Sequence, residues 1–205
     1  MKKTLIIIDF QKDFANENGS LYVPKAERAE SGICSYIMNH HEELSDVVFT
    51  VDWHTFEDKS FADNGGIWPI HCVQYSEGAS IVDRILHLCN HYKLPIKVFI
   101  KGDNPSHEEY GAFEVCNVWG EENGDLLLRG TNYSSTSHVI FNTHNLVVCG
   151  LAGDYCVKES TKNLMNHNTP LDIKISILKD GVASIDGGQT LNEFMKMYNI
   201  SIEED

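Results

Sequence analysis

No stretch of this chain is apolar enough to span a bilayer. The run nearest the amino terminus, Leu5–Ile8, ends at Asp9 after four residues, against the roughly 20 a membrane helix needs and the roughly 7–15 of a signal-peptide core. Basic residues are also scarce, 16 Lys and Arg against 30 Asp and Glu, for a formal net charge of −14. That field repels nucleic acid and anionic membrane surfaces, so neither is an expected partner. A cysteine-pairing pattern is missing too. Cys34, Cys72, Cys89, Cys116, Cys149 and Cys156 lie far apart, with no C-x-x-C pair, and read as reduced thiols of a cytoplasmic protein. Internal repeats, low-complexity tracts and linkers are lacking, so a single domain over residues 1–205 is expected. A chain of 205 residues with 42% hydrophobic and 22% charged residues can bury a sizeable core.

Short apolar runs alternate with helical spacing. Leu5–Ile8, Val47–Val51, Lys97–Ile100, Leu146–Cys149 and Ile173–Leu178 are nearly continuous apolar or β-branched stretches, the pattern of strands covered on both faces. Lys25–His41, Ala79–Tyr92, Val157–Asn166 and Thr190–Tyr198 carry apolar residues at helical spacing. The alternation predicts a doubly wound α/β domain, a mostly parallel sheet flanked by helices on both faces in three Rossmann-like layers. Glu114–Asn145 is polar and glycine-punctuated. It is expected to be partly irregular, an insertion serving as a lid or a subunit contact.

Polar residues close several of the strands. Asp9 follows LIII, Asp52 follows VVFTV, Lys101 follows KVFI, and LVVCG leads into the turn before Cys156. Any one of them marks no more than the chain leaving the core. Four ionisable groups at the carboxyl edge of one sheet fall where open α/β sheets bind ligands.

Cys156 follows a strand and a small-residue turn, at the expected start of a helix. There the dipole and free N–H groups favour a thiolate. A free thiol with a pKa of about 8.5 is only a few per cent ionised at neutral pH. Lys101 is the natural cation to help it, and Asp9 can take its proton. Most cysteines are simply small buried hydrophobes, which is the assignment for Cys34, Cys89, Cys116 and Cys149. The same turn offers backbone N–H groups of Ala152 and Cys156 to an oxyanion. Asp52 and His54, two apart in extended chain, face the same way, and His71 supplies a third donor from the segment WPIHC. Two imidazoles and a carboxylate suit zinc, iron or manganese with positions left open. Cys72 is expected to point away.

IIIDFQKDF, VDWHTFEDKSF, WPIHCVQYSEGA, IKGDNPSHEEYGAF and VCGLAGDYCV, in this order, resemble the isochorismatase-like cysteine hydrolases and, within them, the nicotinamidase group. The resemblance spans Leu5 to Val157. It implies catalytic Asp9, Lys101 and Cys156, metal ligands Asp52, His54 and His71, and a cis peptide between Leu151 and Ala152. It also implies a ring pocket walled by Phe14 and Trp68 and lined by Tyr110. The implied activity is hydrolysis of nicotinamide through a Cys156 thioester, in NAD salvage, with a divalent metal, zinc before iron or manganese, orienting the pyridine nitrogen. The expected partner is this small molecule, and a homo-oligomer is left open.

Two positions depart from the family pattern. Asp58 stands where many members carry a further histidine, leaving the metal shell to Asp58, Ser60 or water. Gly153 stands where threonine is common, which is expected to loosen the turn. Three other functions compete: a related cysteine amidase acting on another small amide or carbamoyl substrate, a zinc hydrolase with the cysteine as bystander, and a non-catalytic binder.

Overall fold

The computed structural model describes residues 2–113, 116–122, 125–130, 138–141, 143–166 and 173–205. Among the described residues nine strands follow one another as β1 (Lys3–Ile8), β2 (Leu44–Asp52), β3 (Ile96–Lys101), β4 (Cys116–Glu122), β5 (Asp125–Gly130), β6 (His138–Phe141), β7 (Asn145–Gly150), β8 (Lys174–Val182) and β9 (Ser201–Glu203). The helices are α1 (Lys12–Ala15), α2 (Ala26–His40), α3 (Asp83–His91), α4 (Lys158–Asn166) and α5 (Gln189–Tyr198). Six strands form one sheet in the order β3-β2-β1-β7-β8-β9, every neighbouring pair parallel.

Strand alternation explains the unbroken apolar runs. Leu5 and Ile7 join one core with Ile33 and Ile37 of α2 and Ile85 of α3. Ile6 and Ile8 point the other way and pack with Val157, Leu164 of α4 and Leu191 of α5. From Leu5 to Ile8 both faces of β1 are therefore dry, and each of those four positions is apolar. Helices on both faces make the three expected layers. Among the described residues, no helix is long and apolar enough to cross a membrane.

Three expectations need correction. Ala79–Tyr92 is helical only from Asp83. Its first residues pair instead with the loop after β1: the Val82 N–H donates to Phe10 O at 3.0 Å and Gln11 bridges Ile81. Next, Lys25 is not the first residue of α2 but the left-handed residue before it, with φ 69°. Finally, the segment expected to be partly irregular holds, in its described residues, an antiparallel sheet in the order β4-β5-β6, with β6 against β3. The signal was there in Asn123-Gly124, a hairpin-forming dipeptide, between two β-capable runs. The lid or subunit contact expected over Glu114–Asn145, and the buried thiol expected at Cys116, fall largely on residues and side chains outside the described ones.

Candidate active site

The sheet order reverses direction between β1 and β7, the switch point where two strand ends part and leave a crevice. Asp9, Asp52 and Lys101 stand at the carboxyl ends of β1, β2 and β3, and the chain leaving β7 reaches Cys156 through the wide π-helical turn Gly153–Val157. The approach is close. Gly150, with φ 123°, lies against β1 so that a Cβ there would sit 2.1 Å from Ile8 O, and Leu151 N–H donates to that same oxygen. The peptide between Leu151 and Ala152 is cis, as the resemblance implies.

Lys101, fully buried, is the hub. Its ammonium lies 2.9 Å from Asp9 Oδ2, contacts Asp52 Oδ1, donates to Glu109 O at 3.3 Å and reaches Cys156 Sγ at 3.8 Å. Asp9 is fully buried as well, held by Thr50 Oγ1, which donates to its Oδ1 at 2.6 Å. Burial, and then the charge of Asp52, raise its proton affinity above the ordinary aspartate value, in spite of Lys101. Burial disfavours the ammonium of Lys101, but Asp52 and Asp9 outweigh it and hold the lysine charged. Burial also pushes the Cys156 thiol well up, beyond what Lys101 pulls back. The thiolate that the helix start favours is thus opposed by burial, beside a carboxylate whose own proton affinity burial raises. That arrangement suits proton transfer at the moment of attack.

The turn itself is firm. Gly153 N–H donates to Ala183 O at 2.8 Å, and a Cβ on Gly153 would meet Ser184 Oγ at 2.2 Å. Glycine here closes the packing and introduces no slack, contrary to expectation. Among the described residues the Ala152 N–H makes no backbone hydrogen bond, which leaves it free for an incoming oxygen.

Beside the thiol, donor atoms of Asp52, His54 and His71 all lie within 4.8 Å of one another. Each imidazole uses Nδ1 on a neighbour, His54 on Asp58 Oδ2 at 2.9 Å and His71 on Pro69 O at 2.7 Å. That leaves Nε2 of His54 turned towards Asp52, 3.7 Å from its Oδ2. Such outer hydrogen bonds are how proteins set the tautomer of metal-binding histidines. The residues therefore fit a divalent metal. Burial opposes charge on both rings; Asp52 and Asp58 override it at His54, holding it up to about 10, while His71 stays lowered. Asp52 is held well below the carboxylate range because Lys101 and His54 outweigh its burial. Phe61 packs on both rings at 5.4 and 5.3 Å, and Phe14 on His71 at 5.3 Å. Neither Asp58 nor Cys72 belongs to the converging set.

Phe14, Trp68 and Tyr110 line the pocket above these groups, as expected, together with Tyr155, Leu21, Val23 and Ile185. Trp68 Nε1 donates to Tyr110 Oη at 3.0 Å and its ring meets Tyr155 edge-on at 5.2 Å. Sequence reasoning missed Tyr155 and two supporting residues. Gln11 donates to Asp52 O at 2.8 Å and accepts from Asp52 N. Asp13 Oδ2 accepts from Cys72 N at 2.7 Å and steadies the loop carrying His71. Both sit inside the IIIDFQKDF segment, where an amide and a second carboxylate so near a buried strand were the available signal.

A parallel sheet that gathers a thiol, a buried ammonium and a carboxylate under an aromatic pocket defines a cysteine hydrolase of the α/β class. No family model matches the chain. It is 29% identical to the nicotinamidase of Saccharomyces cerevisiae over 98% of each chain, and 29% identical to that of Escherichia coli over 95% of this chain and 90% of the other. The pyrazinamidase of Pyrococcus horikoshii, solved in complex with zinc, superposes with a TM-score of 0.72 at 26% identity over 100% of both chains. Over nearly its whole length the chain is thus similar, in sequence and in fold, to the nicotinamidases of the isochorismatase-like hydrolases.

Proposed function

We propose that the chain hydrolyses nicotinamide to nicotinate and ammonia, in NAD salvage, through a thioester on Cys156. The observation that carries this is the Lys101 ammonium, which touches Asp9 and Asp52 and lies 3.8 Å from Cys156 Sγ. One buried cation thereby ties base, nucleophile and metal-binding carboxylate beneath the ring pocket.

Phe14 and Trp68 hold the pyridine ring, with Tyr110 fixing the indole and Tyr155 closing the wall. As Sγ attacks the amide carbon, its proton passes to Asp9 and the carbonyl oxygen gains charge. The Ala152 and Cys156 N–H groups meet that charge; losing one such donor typically costs about 2.7–4 kcal/mol. Lys101 stabilises the sulfur as it ionises. Asp9 returns the proton to the nitrogen, ammonia leaves, and a thioester remains. Asp9 then takes a proton from water as it attacks the acyl carbon and passes it to Sγ as the carbon–sulfur bond breaks, releasing nicotinate and restoring the thiol and the carboxylate. Splitting amide hydrolysis into two covalent steps lowers each barrier. Asp52, His54 and His71 would hold the metal, for which we propose zinc; when bound it supplies a Lewis-acid contact for the ring nitrogen.

The test is ammonia release from nicotinamide before and after dialysis against a chelator. Release that chelation abolishes and zinc restores is the expected result. Undiminished release from a metal-free protein would remove the metal from the scheme, and no release at all from the metal-loaded protein would remove nicotinamide.

A further inference from the structure

Asp58 is a buried carboxylate beside His54 that takes no part in the proposed chemistry. It is 2% exposed, as buried as the ligands it adjoins. Its carboxylate has both oxygens committed: Oδ2 lies 2.9 Å from His54 Nδ1, and Oδ1 accepts from Ser60 N at 2.8 Å. Its main chain is pinned as well, since Asp58 O accepts from Asn64 Nδ2 at 2.8 Å and from Phe61 N at 3.2 Å. A carboxylate tied down at so many points cannot swing in to ligate an ion. It can only act through His54.

We propose that Asp58 is a positioning residue that presents His54 to the metal as an anion-backed donor. It rests on the metal reading given above. Accepting the Nδ1–H makes Nε2, the atom turned towards Asp52, the nitrogen that gives up its proton to a metal. It also makes the ring a stronger donor, because a carboxylate partner lends negative charge that a neutral acceptor does not. The contrast is built into the site. His71 has the same tautomer set by a neutral carbonyl, Pro69 O, so the two imidazoles are not equivalent. The ring of His54 is held from other sides by Phe61, edge-on at 5.4 Å, and by Gly102, where a Cβ would come within 2.7 Å of Cε1. The rotation that would bring Nδ1 inward is therefore closed off. Where the family pattern has histidine, this chain places a charge behind its first imidazole, and its metal is held more tightly for it.

The experiment is a chelator-competition titration of zinc binding to the metal-free protein, for the parent, Asp58→Asn and Asp58→Ala. The melting temperature of each metal-free form is measured alongside. Asp58→Asn keeps an oxygen for Nδ1–H and removes only the charge, and Asp58→Ala removes both. Dissociation constants about 10–100-fold weaker than the parent's are expected, with Asp58→Asn the milder and Asp58→Glu recovering part of the loss. The nitrogen spectrum of the parent's His54 is expected to show Nδ1 protonated in the zinc-loaded form. A purely structural role would lower the metal-free melting temperature and leave zinc affinity unchanged. Should Asp58→Ala fail to fold, Asp58→Asn decides alone. Zinc affinities within twofold of the parent's would overturn the assignment of Asp58 while leaving the site intact. A parent that binds no zinc would overturn the metal reading itself.

Discussion

Replacing Lys101 by methionine keeps most of the side chain's volume and deletes its charge. Asp9 and Asp52, 0% and 4% exposed, then face each other with no ammonium between them. Removing one partner of a buried ion pair costs about 3–5 kcal/mol, because the remaining charge cannot reach water. At roughly 2–4 °C per kcal/mol for a domain of this size, the metal-free variant should melt about 6–20 °C below the parent. The pH dependence is the more searching test. Asp9 already has its proton affinity raised by burial and by Asp52, and Lys101 is what restrains it. Without Lys101 it rises further. A carboxyl whose folded pKa exceeds its unfolded value contributes stability below the unfolded pKa, and that contribution is lost as pH rises through the folded one. The penalty should therefore shrink on acidification, as Asp9 takes up a proton and relieves the repulsion. Calorimetry of chelator-treated parent and variant at about pH 7.5 and about pH 5.5 reads this directly. A deficit under about 1 kcal/mol, or one equal at both pH values, would refute the role given to the ammonium. Turnover should fall by roughly 10²–10⁴, the range of lost proton-transfer assistance.

Cys156→Ala should abolish turnover yet bind nicotinate in a calorimetric titration; ammonia release above a few per cent of the parent's would rule out a thioester. The acid limb of kcat/KM should lie above the ordinary aspartate range, because burial raises Asp9; a limb near the unperturbed aspartate value would contradict Asp9 as the base. Gly153→Thr, which installs the residue common in the family, should cost about 1–3 kcal/mol through overpacking against Ser184. Unchanged melting would show that the turn has room after all.

Much of this protein is legible along the chain. Runs such as Leu5–Ile8 declared strands buried on both faces, since only a doubly covered sheet hides consecutive side chains. The polar residues closing those runs marked the functional edge, because a charge cannot sit further back in the dry layers. Asp9, Asp52 and Lys101 were legible for that reason, each at the end of a strand, with His54 two residues beyond β2 and Cys156 within the turn after β7. What only tertiary structure decided is which atoms meet. Lys101 could have served Cys156 alone, but the parallel pairing of β2 with β3 sets it opposite Asp52 and makes it common to both halves of the site. Asp58 read as a candidate ligand, and its turn geometry put it behind His54. Gly153 read as slack, and the neighbouring strand end made it a tight fit. Helix position, which favours the Cys156 thiolate, is local, whereas burial, which favours the thiol, sums over every element packed around the sulfur.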